Sequence, residues 1–402
     1  MFKIVNTPIK IGNQIIRNRT VSSPVSINKA SENGEVTDNI ISFFSNLSKN
    51  NLGMVTIGAV SVSEEGTDTK NGMRIGEDRY LEGLKNLALE IKKYGAKSSI
   101  QLFHVGAQGN SHLSNKRVVG PSKYIVPDIG IEAQVLTIDE IKKIEDEFVK
   151  GIIQAYEAGF DFIEIHMAHG YLLHEFLSPH MNKREDEYGG SENNRIRIIK
   201  NIIEKLNKIK KLNNLAARLT ADDFHEDGLN LKKINNLVKY LDENNFCYYS
   251  VTAGIYETAK QKYIHMKEGT YWEYSGKLKK MTKTPVIAQG NITSLREGED
   301  ILLKEQGDMF GMAQSLIADP EIVSKSLNGQ EDQVYNCLAH VKVGSCHRCR
   351  YVKRKDHDFD CVTPSAWRPI DSLKTERKKD LDFWKQTIQT LKIQEEKNNE
   401  TT

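Results

Sequence analysis

The chain has 402 residues, 39% of them hydrophobic and 27% charged, which is the composition of a globular protein able to bury a large core. Its 56 basic and 54 acidic residues leave a net charge of +2, so charge gives no indication of a nucleic-acid or membrane partner. With no signal-peptide or membrane-span pattern and only five cysteines, the chain is expected to be cytoplasmic and without disulfides.

Apolar runs of strand length alternate with helical patterns from the N-terminus to about residue 330. Candidate strands lie at 20–23, 54–59, 98–103, 160–166, 215–220, 248–252, 285–289 and 309–312. Candidate helices lie at 38–49, 81–94, 138–158, 192–210, 231–244 and 294–304. Thr137 and Glu140 have the spacing of a capping box, and Ser191 and Thr293 are placed as N-caps. Eight strand–helix repeats favour a TIM (β/α)8 barrel over an open sheet, which would carry G-x-G-x-x-G after its first strand.

The residues best suited to chemistry follow predicted strand ends, where barrel enzymes place their active sites. His166, His169 and Tyr171 come at the end of one apolar strand and in the turn after it. Two imidazoles and a phenol at that place can donate hydrogen bonds to one small-molecule oxygen. A single histidine is more often structural, but the three together indicate a site. Long loops are predicted at 106–137 and 252–284, and loops of that length usually carry function.

Several motifs occur in an order that resembles the old yellow enzyme family of flavin oxidoreductases. They are Arg-Asn-Arg at 17–19, Ser-Pro at 23–24, Gln-Leu-Phe-His-Val-Gly-Ala-Gln at 101–108, the block 166–195, Ala-Arg-Leu at 217–219, Pro-Val-Ile-Ala-Gln-Gly at 285–290 and Leu-Ile-Ala-Asp-Pro at 316–320. The sequence His-x-x-His-Gly-Tyr is similar to the bacterial branch and to the barrel domain of 2,4-dienoyl-CoA reductase. The resemblance implies one FMN at the carboxyl ends of the strands and NADPH or NADH as co-substrate.

The resemblance also implies which residues bind FMN. Arg218 is expected beside the N1/O2 edge of the flavin, where a cation stabilises the reduced ring, and an ion pair with Asp222 or Asp223 is the alternative. Ser26 is expected near O4 and N5, where its hydroxyl tunes the reduction potential, and a plain turn residue is the alternative. The complete cofactor-binding set is Ser23, Pro24, Val25, Ser26, Ala59, Gln101, Arg218, Gly290, Asn291, Ala313 and Gln314.

Position 314 departs from the family pattern, because the family usually has arginine there and this chain has Gln314. The missing cation is expected to weaken FMN binding, or to leave the phosphate to backbone donors and to Arg296 or Lys325. Asn28 replaces a substrate-packing tyrosine of some bacterial relatives, so the family gives no substrate preference.

By resemblance, His166 and His169 would polarise the carbonyl of a small electrophilic substrate, and Tyr171 would donate a proton to its α-carbon. His174 is expected to be structural. The predicted function is an FMN-dependent NAD(P)H oxidoreductase that reduces activated alkenes or quinones in a ping-pong cycle, acting as a homo-oligomer. The alternatives are an amine dehydrogenase or demethylase, and a flavin-poor redox-responsive binding protein. A metal-dependent lyase is disfavoured, because carboxylate ligands are missing after the strand ends.

The predicted domain boundary separates an FMN-binding barrel at 1–330 from a C-terminal extension at 331–402. The extension carries Cys337, Cys346, Cys349 and Cys361, which resemble an incomplete iron–sulfur loop. We expect this loop to bind no metal. Zinc held by three of the cysteines and His347 or His357 is the alternative.

Overall fold

A computed structural model describes residues 2–110, 114, 116–127, 129–209, 214–258 and 271–335. Its strands, in chain order, are β1 (Ile9–Ile11), β2 (Gln14–Ile16), β3 (Thr20–Ser22), β4 (Met54–Ser61), β5 (Lys97–Phe103), β6 (Val119–Gly120), β7 (Gln134–Val135), β8 (Phe162–Met167), β9 (Leu215–Thr220), β10 (Tyr249–Thr252), β11 (Val286–Gln289) and β12 (Met309–Met312). Eight of them form a closed parallel barrel in the order β3-β4-β5-β8-β9-β10-β11-β12, with β12 pairing back to β3. This confirms the predicted TIM barrel.

Helices follow the barrel strands and cover their outer faces. They are α1 (Asp38–Ser48), α2 (Asp78–Lys92), α3 (Ile138–Glu157), α4 (Leu172–Leu177), α5 (Glu192–Arg195), α6 (Arg197–Ile209), α7 (Asn235–Glu243), α8 (Tyr271–Lys279), α9 (Leu295–Leu303), α10 (Gln314–Ala318) and α11 (Ile322–Leu327). The predicted capping box of α3 is confirmed, because Thr137 accepts from the Glu140 backbone and Glu140 accepts from the Thr137 backbone. None of the described helices is long and apolar enough to cross a membrane.

Four details differ from the sequence prediction. The segment predicted as one helix at 192–210 is broken at Ile196, where one helix ends before the next begins. Ser294, and not Thr293, is the N-cap of α9. The predicted loop at 252–284 contains α8, and the one at 106–137 contains the short pair β6 and β7.

The amino-terminal end of the barrel is closed by the antiparallel hairpin of β1 and β2, which the sequence analysis did not identify. Ile11 and Ile16 are fully buried there against Phe162 and Tyr248. The rest of the apolar core lies between the barrel and its helices. Because this end is packed with large side chains, the chemistry-bearing residues are left to the opposite, carboxyl end of the strands.

The turn after β11 depends on Gly290, which has a φ of +104°. A Cβ there would lie 2.3 Å from the ring of Tyr271, whose hydroxyl is itself bonded to Thr252 and Ala253 and cannot move aside. We expect Gly290→Ala to lower the free energy of unfolding by about 2–4 kcal/mol, from overpacking plus backbone strain.

Gly329→Ala is the matched control for this prediction. Gly329 has a φ of +75° with nothing within 4 Å of its Cβ position, so its substitution adds strain without overpacking. In urea unfolding, this control should lower the free energy of unfolding by about 1 kcal/mol. Equal losses in the two variants would show that the contact with Tyr271 does not constrain the turn.

Candidate active site

The turn after β8 brings the three predicted catalytic residues together. His166 lies in β8, and His169 and Gly170 follow with φ angles of +64° and +80°. Two successive left-handed residues reverse the chain sharply, and glycine tolerates this conformation at little cost. The backbone then enters α4 with Tyr171 as its N-cap residue. The reversal brings the Tyr171 side chain back towards the end of its own strand.

The three rings form one aromatic cluster. The centroid of His166 lies 5.2 Å from that of His169 and 4.9 Å from that of Tyr171, in edge-to-face contacts. The His169 and Tyr171 centroids are 6.4 Å apart. His166 is buried, whereas His169 and Tyr171 are half-buried, so the cluster borders the open end of the barrel. The structure thus brings together all three residues that the sequence singled out.

Hydrogen bonds indicate where the imidazole protons reside. The Ala168 backbone N–H donates to His166 Nδ1 at 3.2 Å, so neutral His166 carries its proton on Nε2. His169 Nε2 lies 2.8 Å from Thr252 Oγ1, which lies 2.7 Å from the Tyr271 hydroxyl. Tyr271 donates to the Ala253 carbonyl, so Thr252 donates to Tyr271 and accepts from His169 Nε2. Thr252 therefore fixes the orientation and tautomer of His169.

Thr252→Val removes this acceptor while keeping the volume of the side chain. We expect kcat/KM for a substrate bound through its oxygen to fall by about 2- to 10-fold, which corresponds to the net free energy that one hydrogen bond contributes. FMN content and thermal stability, measured alongside, should remain close to wild type. An unchanged kcat/KM would show that the bond to Thr252 does not orient the ring for function.

Tyr171 is held in its protonated form. Burial raises the pKa of its hydroxyl well above the usual value, and the neighbouring Tyr256 and Asp68 raise it further. The hydroxyl lies 3.1 Å from that of Tyr256, which is 42% exposed. The Tyr256 hydroxyl therefore links the Tyr171 hydroxyl to solvent. The sequence alone did not predict this contact.

Arg218 and Glu164 form the charged centre of the barrel interior. Arg218 lies on β9 beside His166 of β8, and Glu164 accepts a hydrogen bond from Gln101 Nε2 at 2.5 Å. Burial lowers the pKa of Arg218, and the charge of Glu164 opposes this shift. Burial likewise raises the pKa of Glu164, and Arg218 opposes it. The charge that compensates Arg218 therefore comes from Glu164.

The ion pair of Arg218 with Asp222 or Asp223, considered as the alternative to a flavin contact, does not form among the described residues. Asp222 accepts from the Phe224 backbone, and Asp223 lies 3.2 Å from the fully buried His174. Glu164 was the partner to look for, since it is the charged residue inside an otherwise apolar strand. The contact of His174 with Asp223 agrees with the structural role expected for that histidine.

The predicted cofactor-binding residues surround the open end of the barrel. Ser23 and Gln101 are buried, while Pro24, Val25, Ser26, Ala59, Arg218, Gly290, Asn291, Ala313 and Gln314 are half-buried. Ser26 Oγ accepts from the Ala59 backbone N–H at 3.1 Å, which leaves its hydroxyl hydrogen to donate elsewhere. Gly58 and Gly311 provide room, because a Cβ would lie 2.9 Å from Gln101 and 2.5 Å from Ser23, respectively.

These residues fit a flavin. Arg218 Nε is buried without a hydrogen-bond partner among the described residues, and a buried guanidinium N–H calls for an acceptor. Ser26 and Gln101 add one hydroxyl and one amide to the same end of the barrel. A planar ring edged with carbonyl and N–H groups matches this set of donors and acceptors.

Comparison with known proteins agrees with this geometry. The model of the NADH:flavin oxidoreductase / NADH oxidase family matches residues 5–333. The chain belongs to this family. It is 32% identical over 335 residues to an NADH oxidase of Thermoanaerobacter brockii, covering 82% of this chain and 52% of that protein. It is 31% identical over 315 residues to an NADPH dehydrogenase of Bacillus cytotoxicus, covering 78% and 89%, respectively.

Among solved structures, 2-naphthoyl-CoA reductase in complex with 2-naphthoyl-CoA superposes with a TM-score of 0.79 at 25% identity. The match covers 84% of this chain and 54% of that one, so the chain spans about half the length of this reductase and of the NADH oxidase. Membership confirms the predicted flavin oxidoreductase family, an enzyme class that uses FMN and a reduced nicotinamide.

The family's phosphate region is where this member departs from the pattern. Arg296 pairs with Glu331, and Lys325 lies 2.7 Å from Asp319 and 3.1 Å from Glu321. Both basic residues proposed as substitutes for the family's arginine are therefore already neutralised by carboxylates. Backbone N–H groups of the turns after β11 and β12 remain as the donors nearest the expected phosphate.

The remaining predictions concern the cysteines and the C-terminal extension. Cys337, Cys346, Cys349 and Cys361 lie outside the described residues, as does nearly all of the predicted C-terminal extension. Cys247 is described, and burial raises the pKa of its thiol far above the usual range. It lies just before β10, at the amino-terminal end of the barrel and away from the aromatic cluster.

Proposed function

We propose that the protein is an FMN-dependent NAD(P)H oxidoreductase of the ene-reductase type, which reduces activated alkenes or quinones. The observation that carries this proposal is the cluster of His166, His169 and Tyr171 beside Arg218 at the open end of the barrel. Two nitrogen donors and a protonated phenol are the groups needed to polarise an α,β-unsaturated carbonyl and to protonate its α-carbon.

The cofactor-binding residues would hold FMN at the carboxyl ends of the strands. When bound, FMN supplies two-electron transfer between a reduced nicotinamide and an electron-poor substrate. Arg218 would place its positive charge against the edge of the ring that becomes electron-rich. One N–H of the Gln101 amide is bonded to Glu164, which leaves the amide oxygen to accept from a ring N–H and the second N–H to donate to a ring carbonyl. Glycines at 58 and 311 leave space for the side chains of Gln101 and Ser23, which belong to this proposed cofactor-binding set.

His166 and His169 would anchor the oxygen of the substrate. His166 carries its proton on Nε2 and can donate it directly to a carbonyl oxygen. The Nε2 proton of His169 is engaged by Thr252, so His169 donates a second hydrogen bond to the substrate when its ring is doubly protonated. Both bonds draw electron density from the alkene and make its β-carbon electrophilic.

Tyr171 would deliver the proton that completes alkene reduction. Its raised pKa keeps the hydroxyl protonated at neutral pH, so the proton is present when the substrate binds. After transfer, the Tyr256 hydroxyl at 3.1 Å is placed to pass a proton back from solvent. Quinones need only the oxygen anchor and no proton at carbon, so they should depend less on Tyr171.

Steady-state assays with NADPH and with NADH test the proposed reaction class. We expect turnover with 2-cyclohexenone and with a benzoquinone, and none with an unactivated alkene. An amine substrate that reduces the enzyme-bound flavin, with no activity towards enones, would reject the ene-reductase assignment in favour of an amine dehydrogenase.

Gln314→Arg restores the cation that the family usually has at this position. We expect the variant to bind FMN about tenfold or more tightly, because a charge-assisted hydrogen bond to phosphate contributes about 1.5–3 kcal/mol. Fluorescence titration of the apoprotein with FMN measures the effect, and riboflavin, which lacks the phosphate, is the control ligand. If Gln314→Arg also binds riboflavin more tightly, the new arginine acts on the flavin ring and not on the phosphate.

We further propose a cytoplasmic homo-oligomer whose barrel ends near residue 330, followed by the cysteine-bearing extension. The family match ends at residue 333, which supports the boundary. Light scattering of the full chain measures the oligomeric state.

A further inference from the structure

A second polar cluster lies at the rim of the barrel, beside the aromatic cluster and outside the proposed chemistry. It consists of His180, His225 and Glu257, each of which offers one ligand atom within 4.8 Å of the others. His180 follows α4, His225 lies after β9, and Glu257 lies after β10. Three loops that follow neighbouring strands therefore converge on one point.

The contacts within the cluster are close and directional. His180 Nε2 lies 2.9 Å from Glu257 Oε2, and the rings of His180 and His225 lie over each other at a tilt of 31°, with centroids 3.7 Å apart. Tyr124, from the long loop after β5, donates its hydroxyl to the same Glu257 oxygen at 2.5 Å. The two histidines are half-buried and the glutamate is exposed, so one side of the cluster faces solvent.

We propose that His180, His225 and Glu257 bind a divalent transition-metal ion, with Zn²⁺ as the preferred occupant. Two imidazoles and one carboxylate form a ligand set typical of zinc sites that keep an open coordination position. Mg²⁺ and Ca²⁺ prefer oxygen ligands and are disfavoured by the two imidazoles. The exposed side of Glu257 leaves room for water or a small ligand at the fourth position.

The distances match such a site once the two imidazole rings turn out of their face-to-face contact and the ligand atoms close in. Ligand atoms bound to zinc at about 2.0–2.1 Å in a tetrahedron lie about 3.3 Å apart, close to the separation of His180 and Glu257. The ligand atoms all lie within 4.8 Å of one another, so the most distant pair needs to approach by at most about 1.5 Å to reach that value, a movement available to half-buried side chains. Tyr124 would act as the outer partner that orients the carboxylate.

Protons must leave for the ion to bind. The hydrogen of His180 that bridges to Glu257 is displaced by the metal. His225 Nδ1 accepts from the Asp227 backbone at 3.2 Å, so binding through Nε2 moves the ring proton to Nδ1 and breaks this long contact.

The site would fix the loop that carries Tyr256. Glu257 is the next residue in the chain, and Tyr256 contacts the Tyr171 hydroxyl. A metal bond at Glu257 would join the loops after β8, β9 and β10 directly above the aromatic cluster. This consequence does not depend on which substrate the enzyme reduces.

Zinc titration of the full-length, FMN-loaded protein, after chelator treatment, tests the proposal by competition with a chromophoric chelator. We expect one equivalent to bind, with at least a tenfold loss of affinity in His225→Gln and in Glu257→Gln. Glu226→Gln, an exposed carboxylate next to His225 but outside the cluster, should leave the affinity unchanged. Tyr124→Phe should weaken binding by about tenfold, as removal of outer partners does.

A Cys346→Ser/Cys349→Ser protein separates this site from the cysteine loop. Retained binding in that variant, with loss in the two ligand variants, would support the proposal. Loss of zinc binding in the cysteine variant alone, or equal affinity in all ligand variants, would overturn it. FMN content and circular dichroism confirm that each variant is folded.

Discussion

Replacing Tyr171 with phenylalanine is expected to slow enone reduction by about 10²- to 10⁴-fold, the range by which a positioned general acid accelerates proton transfer. The Tyr171 hydroxyl is the protonated group beside both histidines, and burial holds its pKa well above the usual value. Electron delivery from the nicotinamide requires no proton at carbon, so that half-reaction should remain near the wild-type rate. Anaerobic stopped-flow measurement of each half-reaction separates the two.

Two control variants make this result specific to one hydroxyl. Tyr156→Phe removes a hydroxyl that is 39% exposed on α3, and both half-reactions should proceed as in the wild type. Tyr256→Phe should slow enone reduction only modestly, because it affects the return of the proton and not its delivery. Quinone reduction should survive in Tyr171→Phe. Loss of the nicotinamide half-reaction in that variant would mean that Tyr171 shapes the binding site and does not act as an acid.

Replacing Arg218 with methionine is expected to lower the free energy of unfolding by about 3 kcal/mol and to strip FMN from the protein. Removing one member of a buried pair of opposite charges costs about 3–5 kcal/mol. Arg218 and Glu164 interact through their charges and not through a direct salt bridge, and Arg218 is partly exposed, so this case lies at the lower end. The cost arises because Glu164 in the barrel interior must then either carry its charge without the nearby cation or take up a proton that the unfolded chain releases. Urea unfolding and the flavin content after gel filtration measure the two effects.

The double variant Arg218→Met/Glu164→Gln distinguishes the effect of Arg218 on the charge of Glu164 from its effect on flavin binding. Removing both charges should recover most of the lost stability while FMN binding stays weak. A double variant as unstable as the single one would show that Glu164 is not the partner of Arg218.

The pH dependence of the Arg218→Met variant has a defined sign. Burial raises the pKa of Glu164 above its ordinary value of 4.5, and Arg218 opposes this rise. Without Arg218 the folded-state pKa rises further, so the folded chain keeps a proton that the unfolded chain releases. The variant's stability is then retained below pH 4.5 and is lost as the pH rises through the raised folded-state pKa. The difference in the free energy of unfolding between the wild type and the variant should therefore increase as the pH rises from 4.5 to the raised folded-state pKa of Glu164.

The barrel could be predicted from the sequence because its strands are continuous apolar runs separated by helical patterns. The strand found at Phe162–Met167 lies within two residues of the predicted 160–166, and His166 stands at its predicted end. The helix α8 was missed because its sequence, with Tyr271, Trp272 and Gly276, has little amphipathic periodicity. The hairpin of β1 and β2 was missed because three-residue strands give too short a pattern.

The membership of the aromatic cluster could be predicted, but its hydrogen bonds could not. His166, His169 and Tyr171 are close in sequence, so one turn suffices to bring them together. Thr252, the last residue of β10, and Tyr256, in the loop after it, reach the cluster from about 80 residues away, and no local pattern connects them. Glu164 was visible as a charge in an apolar run, but its pairing with Arg218 depends on the register of β8 against β9.

The visible spectrum of the purified protein, followed by anaerobic addition of NADPH and then of NADH, tests the central claim most directly. We expect flavin absorption bands that bleach with a reduced nicotinamide and return when 2-cyclohexenone or a quinone is added. A protein that stays colourless after incubation with FMN would contradict the account, because the residues around Arg218 would then hold no flavin.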